Sequence, residues 1–214
     1  MAQTTTREDI RQEVRDNIQE VSGVSNAIWS DTLLNRHIVR EILSLPRQGI
    51  YQEESWTQTL DADTDYSAGI PLPSGTIKAE TVERNDGTST NPHWVELKGV
   101  DNYNNNIYLP YDPSTDEEIR VKIKRSFTSP SADGVALDID DDKCEVVVWG
   151  VTIRCYRILI GYLRNSVSWD TVTKPGDLSI PAIQSWLRDA QEYYKMLIKR
   201  YGTAPKPRDI DLTG

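Results

Sequence analysis

Phenylalanine occurs once in the 214 residues, and cysteine, histidine and methionine twice each. Each shortage excludes something. Cys144 and Cys155 are too few for a disulfide framework. If the stretch between them is helical they stand three turns apart, roughly 16 Å, too far for a bridge within one helix. Both are expected to be reduced, in a cytoplasmic setting. His37 and His93 fall on different predicted elements with no Cys or His at ligand spacing, so zinc lacks a donor set. No apolar run approaches roughly 18 residues, and no membrane span is expected. The chain opens on polar residues, Met1 to Arg7, where a signal segment would be apolar. The Gly-x-Ser-x-Gly elbow, the phosphate-cradling Gly-Lys-Ser/Thr loop and the Gly-x-Gly-x-x-Gly pattern are all missing. Basic residues are in deficit too. Lys and Arg number 24 against 33 Asp and Glu, a net charge of −9. Gripping phosphates needs clustered cations, so a basic nucleic-acid face is disfavoured. No enzymatic activity, metal or cofactor is expected.

Carboxylates, by contrast, are plentiful, but nothing selects one pair for acid–base work. Asp138, Asp140 and Asp142 have the spacing that opens a calcium loop. Lys143 stands where the turn needs Gly, and Trp149 where the closing Glu belongs. Asp61, Asp63 and Asp65 fail in the same way at Tyr66 and Leu72. Capping and loop solvation account for these runs, and solvated faces for the basic runs Arg120 to Arg125 and Lys195 to Arg200. Six Trp and ten Tyr against one Phe form an unusual aromatic set. Their apolar bodies and polar tips suit partly wet subunit contacts, or equally a semi-buried core.

Periodicity divides the chain in four. Residues 1–48 read as a helical hairpin. Thr5 with Glu8 predicts a capping box, and Ile10, Val14, Ile18 and Val21 follow at helical spacing, up to a break at Ser22 and Gly23. A second helix starts at a Ser30 cap, with Trp29 stapled on Leu34 and a stripe of Leu34, Ile38, Ile42 and Leu45 up to Pro46. Residues 49–137 read as a β insertion, one antiparallel sheet of four or five strands. Its clearest strand alternates Ile119, Val121 and Ile123 with Arg120, Lys122 and Lys124, one buried and one basic face. Asn85-Asp86-Gly87 and Asn104 to Asn106 are predicted turns. Residues 138–202 return to helix: a buried one over Val146 to Leu163, a linker, and a last one opened by Ser179 and Pro181. Ile183, Leu187, Ala190, Tyr194, Leu197 and Tyr201 are its stripe, and Gly202 its stop. Residues 203–214 are expected to be an extended tail. The fold class is α+β, a helical bundle (N-terminal hairpin plus two C-terminal helices) with an antiparallel β-sheet insertion.

The run Ile28-Trp29-Ser30-Asp31-Thr32-Leu33-Leu34-Asn35-Arg36-His37-Ile38 resembles the second-helix signature of tailed-phage head–tail adaptor proteins. Ile70-Pro71-Leu72-Pro73, followed by the strand Ile77 to Val82, is similar to a segment of the tail tubular protein A branch, with Ser74-Gly75 where that branch has an Asp. The closing helices fit the family's layout. The resemblance implies a structural virion protein of the neck, assembled in the host cytoplasm. Its subunits would form a ring, typically a dodecamer, beneath the portal protein. That ring continues the DNA channel and receives tail or head-completion proteins, with no membrane involved. The 203–214 tail would then be a binding arm, with Lys206, Arg208, Ile210 and Leu212 docking on the portal or a neighbouring subunit. The other readings are a tail-completion or baseplate subunit, or a carbohydrate-binding module using the aromatics of the β region. Weaker still is a hydrolase with an unmarked carboxylate pair.

Overall fold

The computed structural model describes residues 4–22, 29–62, 64–88, 90–113, 116–165 and 180–202. The protein is α+β, as expected, and divides into two compact units. One is drawn from the chain before Tyr51 and after Ser126, the other is Tyr51–Ser126.

The first unit is helical. Its elements are α1 (Arg7–Ser22), α2 (Asp31–Ile42), a short 3-10 turn over Leu45–Gln48, α3 (Asp141–Asn165) and α4 (Ile180–Tyr201). The capping box of α1 falls one residue later than predicted. Asp9 accepts the Thr6 N–H at 2.8 Å, and Thr6 Oγ1 accepts the Asp9 N–H at 3.2 Å. Thr5 is otherwise engaged, its N–H donating to the Asp141 carboxylate at 3.0 Å. Ser30 caps α2 as expected, its hydroxyl accepting the Leu33 N–H. That helix stops at Ile42, and Pro46 lies in the 3-10 turn that follows, closed by Gly49 at φ 81°. The expected stripe is intact: Leu34, Ile38, Ile42 and Leu45 are fully buried. Pro181 sits in the first turn of α4, where a missing N–H leaves no helical bond unmade. Val21, Gly23, Ser179 and the expected linker and tail involve side chains or segments outside the described residues.

The central helix is α3, which packs against α1, α2 and α4. Val146, Val147, Val148, Val151, Cys155 and Leu159 are buried around its circumference. Contrary to the expectation from apolar runs, α3 is long and apolar enough to cross a membrane by length and composition. Of its most apolar window, 61% is buried inside the protein. Both cysteines are free and buried.

Among the described residues the second unit holds seven strands in two antiparallel sheets, where one sheet of four or five was predicted. Its strands are β1 (Gln52–Leu60), β2 (Ile70–Pro71), β3 (Thr76–Asn85), β4 (Trp94–Glu96), β5 (Asp101–Tyr103), β6 (Asn106–Tyr108) and β7 (Glu117–Arg125). Their orders are β1-β7-β3-β4 and β2-β6-β5. Leu60, Ile70, Leu72, Val82, Ile107, Ile119, Val121 and Ile123 form one shared core. The predicted alternation of β7 holds, but its basic face is not a free one. Arg120 and Lys122 both pair with Glu83, and Lys124, only 8% exposed, pairs with Glu80. The chain turns at Asn85-Asp86-Gly87 as expected, between the antiparallel partners β3 and β4. This run opens a loop in which Asn85 Oδ1 accepts the N–H groups of Gly87 and His93, each at 3.0 Å.

The sheet unit ends at Ser126, not at 137. Phe127, Leu137 and Ile139 are buried in the helical core, and the Leu137 N–H donates to the Thr5 carbonyl at 2.9 Å.

Candidate functional site

The tail residues singled out from the sequence, Lys206, Arg208, Ile210 and Leu212, lie outside the described residues. Within them, the chemistry-bearing side chains of the helical unit gather in two grooves, one on each flank of α4.

The first groove lies between α2, α3 and α4, with a volume of about 410 Å³. Its floor is Glu41, 2% exposed on the otherwise apolar stripe of α2. Arg154 of α3 donates twice to Glu41 Oε2, from Nε at 3.1 Å and Nη2 at 2.7 Å. The Tyr194 hydroxyl of α4 donates to Glu41 Oε1, and its oxygen sits 2.9 Å from the Gln48 side-chain amide. Burial, the Glu41 charge and the shared hydrogen bond push the Tyr194 hydroxyl up from its ordinary value, so it stays a donor. Gly150 makes room for the carboxylate, since a Cβ there would overlap it. Both oxygens of Glu41 are thus committed to holding three helices together, and neither is poised over a free reacting position. Arg157, Gln191 and Lys195 form the rim. Nearby on α2, both ring nitrogens of His37 are buried with no hydrogen-bond partner among the described residues. Burial, then the charges of Arg154, Arg36 and Arg40, lower its pKa and keep it neutral.

The second groove runs between α1, α3 and α4. It is lined by Trp149, Tyr156, Trp186 and Tyr193, with Asn17 and Asp189 at its edge. Trp149 and Tyr193 meet edge-to-face, centroids 5.1 Å apart. The Tyr193 hydroxyl donates to Glu145 at 2.6 Å. Part of the aromatic excess therefore forms a half-open wall with polar tips.

The acidic runs act as ties. Asp138 accepts the Thr128 N–H and hydroxyl at 2.7 and 2.8 Å. Asp141 at the start of α3 accepts from Thr4 and Thr5. Asp140 pairs with Lys143. Among the described residues no group of three His, Cys, Asp or Glu could hold a metal ion; Asp63 lies outside them.

Sequence reasoning missed the Glu41–Arg154–Tyr194 cluster. One signal was available, a charged residue on the inward face of α2 beside Ile38 and Ile42. Its partners, 113 and 153 residues away, left none. No protein-family model matches the chain, and a comparison with the curated proteins gives no match.

Proposed function

We propose that this chain is a structural subunit of a tailed-phage neck, a ring-forming adaptor between the portal and the tail. The observation that carries the reading is the order of elements around the Trp29-Ser30-Asp31 helix entry. A helical hairpin, a β insertion and two closing helices follow one another as in the head–tail adaptors that run resembles. Polar side chains concentrated in helix-to-helix ties also suit a load-bearing part. A net charge of −9 repeated around a channel repels the DNA backbone and lets it slide.

The test is native mass spectrometry and negative-stain microscopy of the purified chain with portal protein. A ring, or assembly that depends on the portal, is expected. Neither ring nor portal binding, with glycan binding by the monomer instead, would replace the adaptor by a carbohydrate-binding module. The tail arm is tested by truncation after Gly202. Portal affinity should fall sharply, and unchanged affinity would remove Lys206, Arg208, Ile210 and Leu212 from the interface.

A further inference from the structure

Two stripes of opposite sign run along α1. Arg7, Arg11 and Arg15 recur every four residues, and each is held within the chain. Arg7 and Arg11 pair with Asp133 at 2.6 and 2.9 Å, and Arg15 pairs with Asp31. Glu13 and Asp16 lie exposed on the other side. With Glu145 of α3 they form no ion pair among the described residues; Asp16 accepts from the Gln12 amide and Glu145 from the Tyr193 hydroxyl. Desolvation and the charges of Glu145 and Asp16 raise the Glu13 carboxyl, so like charges crowd this face, with Arg200 of α4 acting on Tyr193 at its edge. The same flank carries the aromatic groove, linked to it through Asn17 of α1 and the Tyr193–Glu145 hydrogen bond.

Across α4 the sign reverses. Arg154 is spent on Glu41, but Arg157 and Lys195 are exposed on the rim of the first groove and form no ion pair among the described residues. The two grooves use different faces of α3. Trp149 and Tyr156 turn to the α1 side, and Ile153, Arg154 and Arg157 to the α2 side. An acidic, aromatic flank and a basic flank therefore lie on either side of one helix.

We infer that copies of this chain join head-to-tail, the Glu13–Asp16–Glu145 flank of one docking on the Arg157–Lys195 groove of the next. A two-fold contact across α4 would pair the same flanks reciprocally and stop at a dimer. A heterologous contact pairs unlike charges, leaves one free flank of each sign, and repeats until the ring closes. Aromatics at the centre and charges at the rim match the anatomy of specific interfaces. The inference rests on the ring-forming reading above and names the faces that make the ring.

The test uses the full chain with portal present. One variant carries Arg157→Glu and Lys195→Glu, the other Glu13→Lys and Asp16→Lys; circular dichroism checks that both stay helical. Each alone should remain monomeric where the unaltered chain forms rings. An equal mixture should regain rings, because acidic stripe then meets basic groove and basic stripe meets acidic groove in alternation. Unaltered-chain rings should also loosen between about 0.1 and 0.5 M salt as screening shortens the range of the charges. Rings from either variant alone, or salt-insensitive rings, would show that the faces are wrong and leave the adaptor reading standing. No ring from the unaltered chain under any of these conditions would remove both.

Discussion

Glu41 occupies a place that the stripe of α2 would give to an apolar side chain, and its neighbours are arranged around that fact. A buried carboxylate is tolerable only while its charge and lone pairs are satisfied. Arg154 supplies the charge and Tyr194 a further hydrogen bond. Removing Arg154 leaves the carboxylate buried and unpaired, which costs about 3–5 kcal/mol. Arg154→Ala should therefore lose more stability in urea denaturation than Glu41→Gln, which keeps the shape and removes the buried charge. Gly150→Ala tests the same site from the other side. The gain in helix propensity is about 1 kcal/mol, while the overlap with Glu41 costs about 1–3 kcal/mol. A lowered Tm is expected, and the loss caused by Gly150→Ala should vanish when that change is made in a Glu41→Ala background. Asp141 gives a pH dependence. Hydrogen bonds from Thr5 and Thr4 hold its carboxyl well below the ordinary 3.8. A depressed carboxyl contributes stability above its unfolded value and loses that contribution as pH falls through the folded one. The stability gap between the parent chain and Asp141→Asn should be flat from neutral pH to about pH 5 and close progressively in stronger acid.

At the scale of elements, the turn between β5 and β6 is the sharpest case of residue type dictating backbone. Asn104 and Asn105 have φ of 49° and 62°, the left-handed pair that a two-residue hairpin requires. Asn tolerates that region and a β-branched residue does not. Asn105→Val should destabilise the sheet unit by about 1–2 kcal/mol, measured by thermal melting and by faster amide exchange in β6. This turn was legible in the sequence, as were the Ser30 cap and the buried face of β7, because all three are written in adjacent residues. What escaped was short or non-local. Strands β2 and β5 have two and three residues, too few for a period to register, so the second sheet went unseen. The basic residues of β7 read as a free face because their partners Glu83 and Glu80 come from β3, far along the chain. Thr5 lost its cap role to Thr6 because Asp141, more than a hundred residues away, claims it.

For the whole molecule, the boundary at Ser126 follows from what happens just beyond it. Residues 127–140 lack regular structure, so periodicity could not assign them to the helices. From this stretch Phe127, Leu137 and Ile139 nonetheless complete the helical core, and Asp133 collects Arg7 and Arg11. The paired grooves beside α4 were equally unreadable, since three separate helices build each of them. The sheet unit itself begins and ends on paired strands. Gln52 faces Arg125 across the β1–β7 ladder, so the chain enters and leaves this unit about 5 Å apart. An insertion with adjacent ends and its own core behaves as a removable module. Replacing Tyr51–Ser126 by a short Gly/Ser bridge should thus leave a cooperatively melting, helical protein, and Tyr51–Ser126 alone should fold with β1 and β7 paired. Ile50 and Phe127 flank the cut, and both are buried in the helical core, so the bridge must spare them. A non-cooperative helical fragment would mean that the helical core depends on the insertion for its order. Because Glu13, Asp16, Arg157 and Lys195 all lie outside the excised segment, the shortened chain should still form portal-dependent rings under the head-to-tail proposal. A shortened chain that folds but no longer forms rings would place a needed contact in the strands.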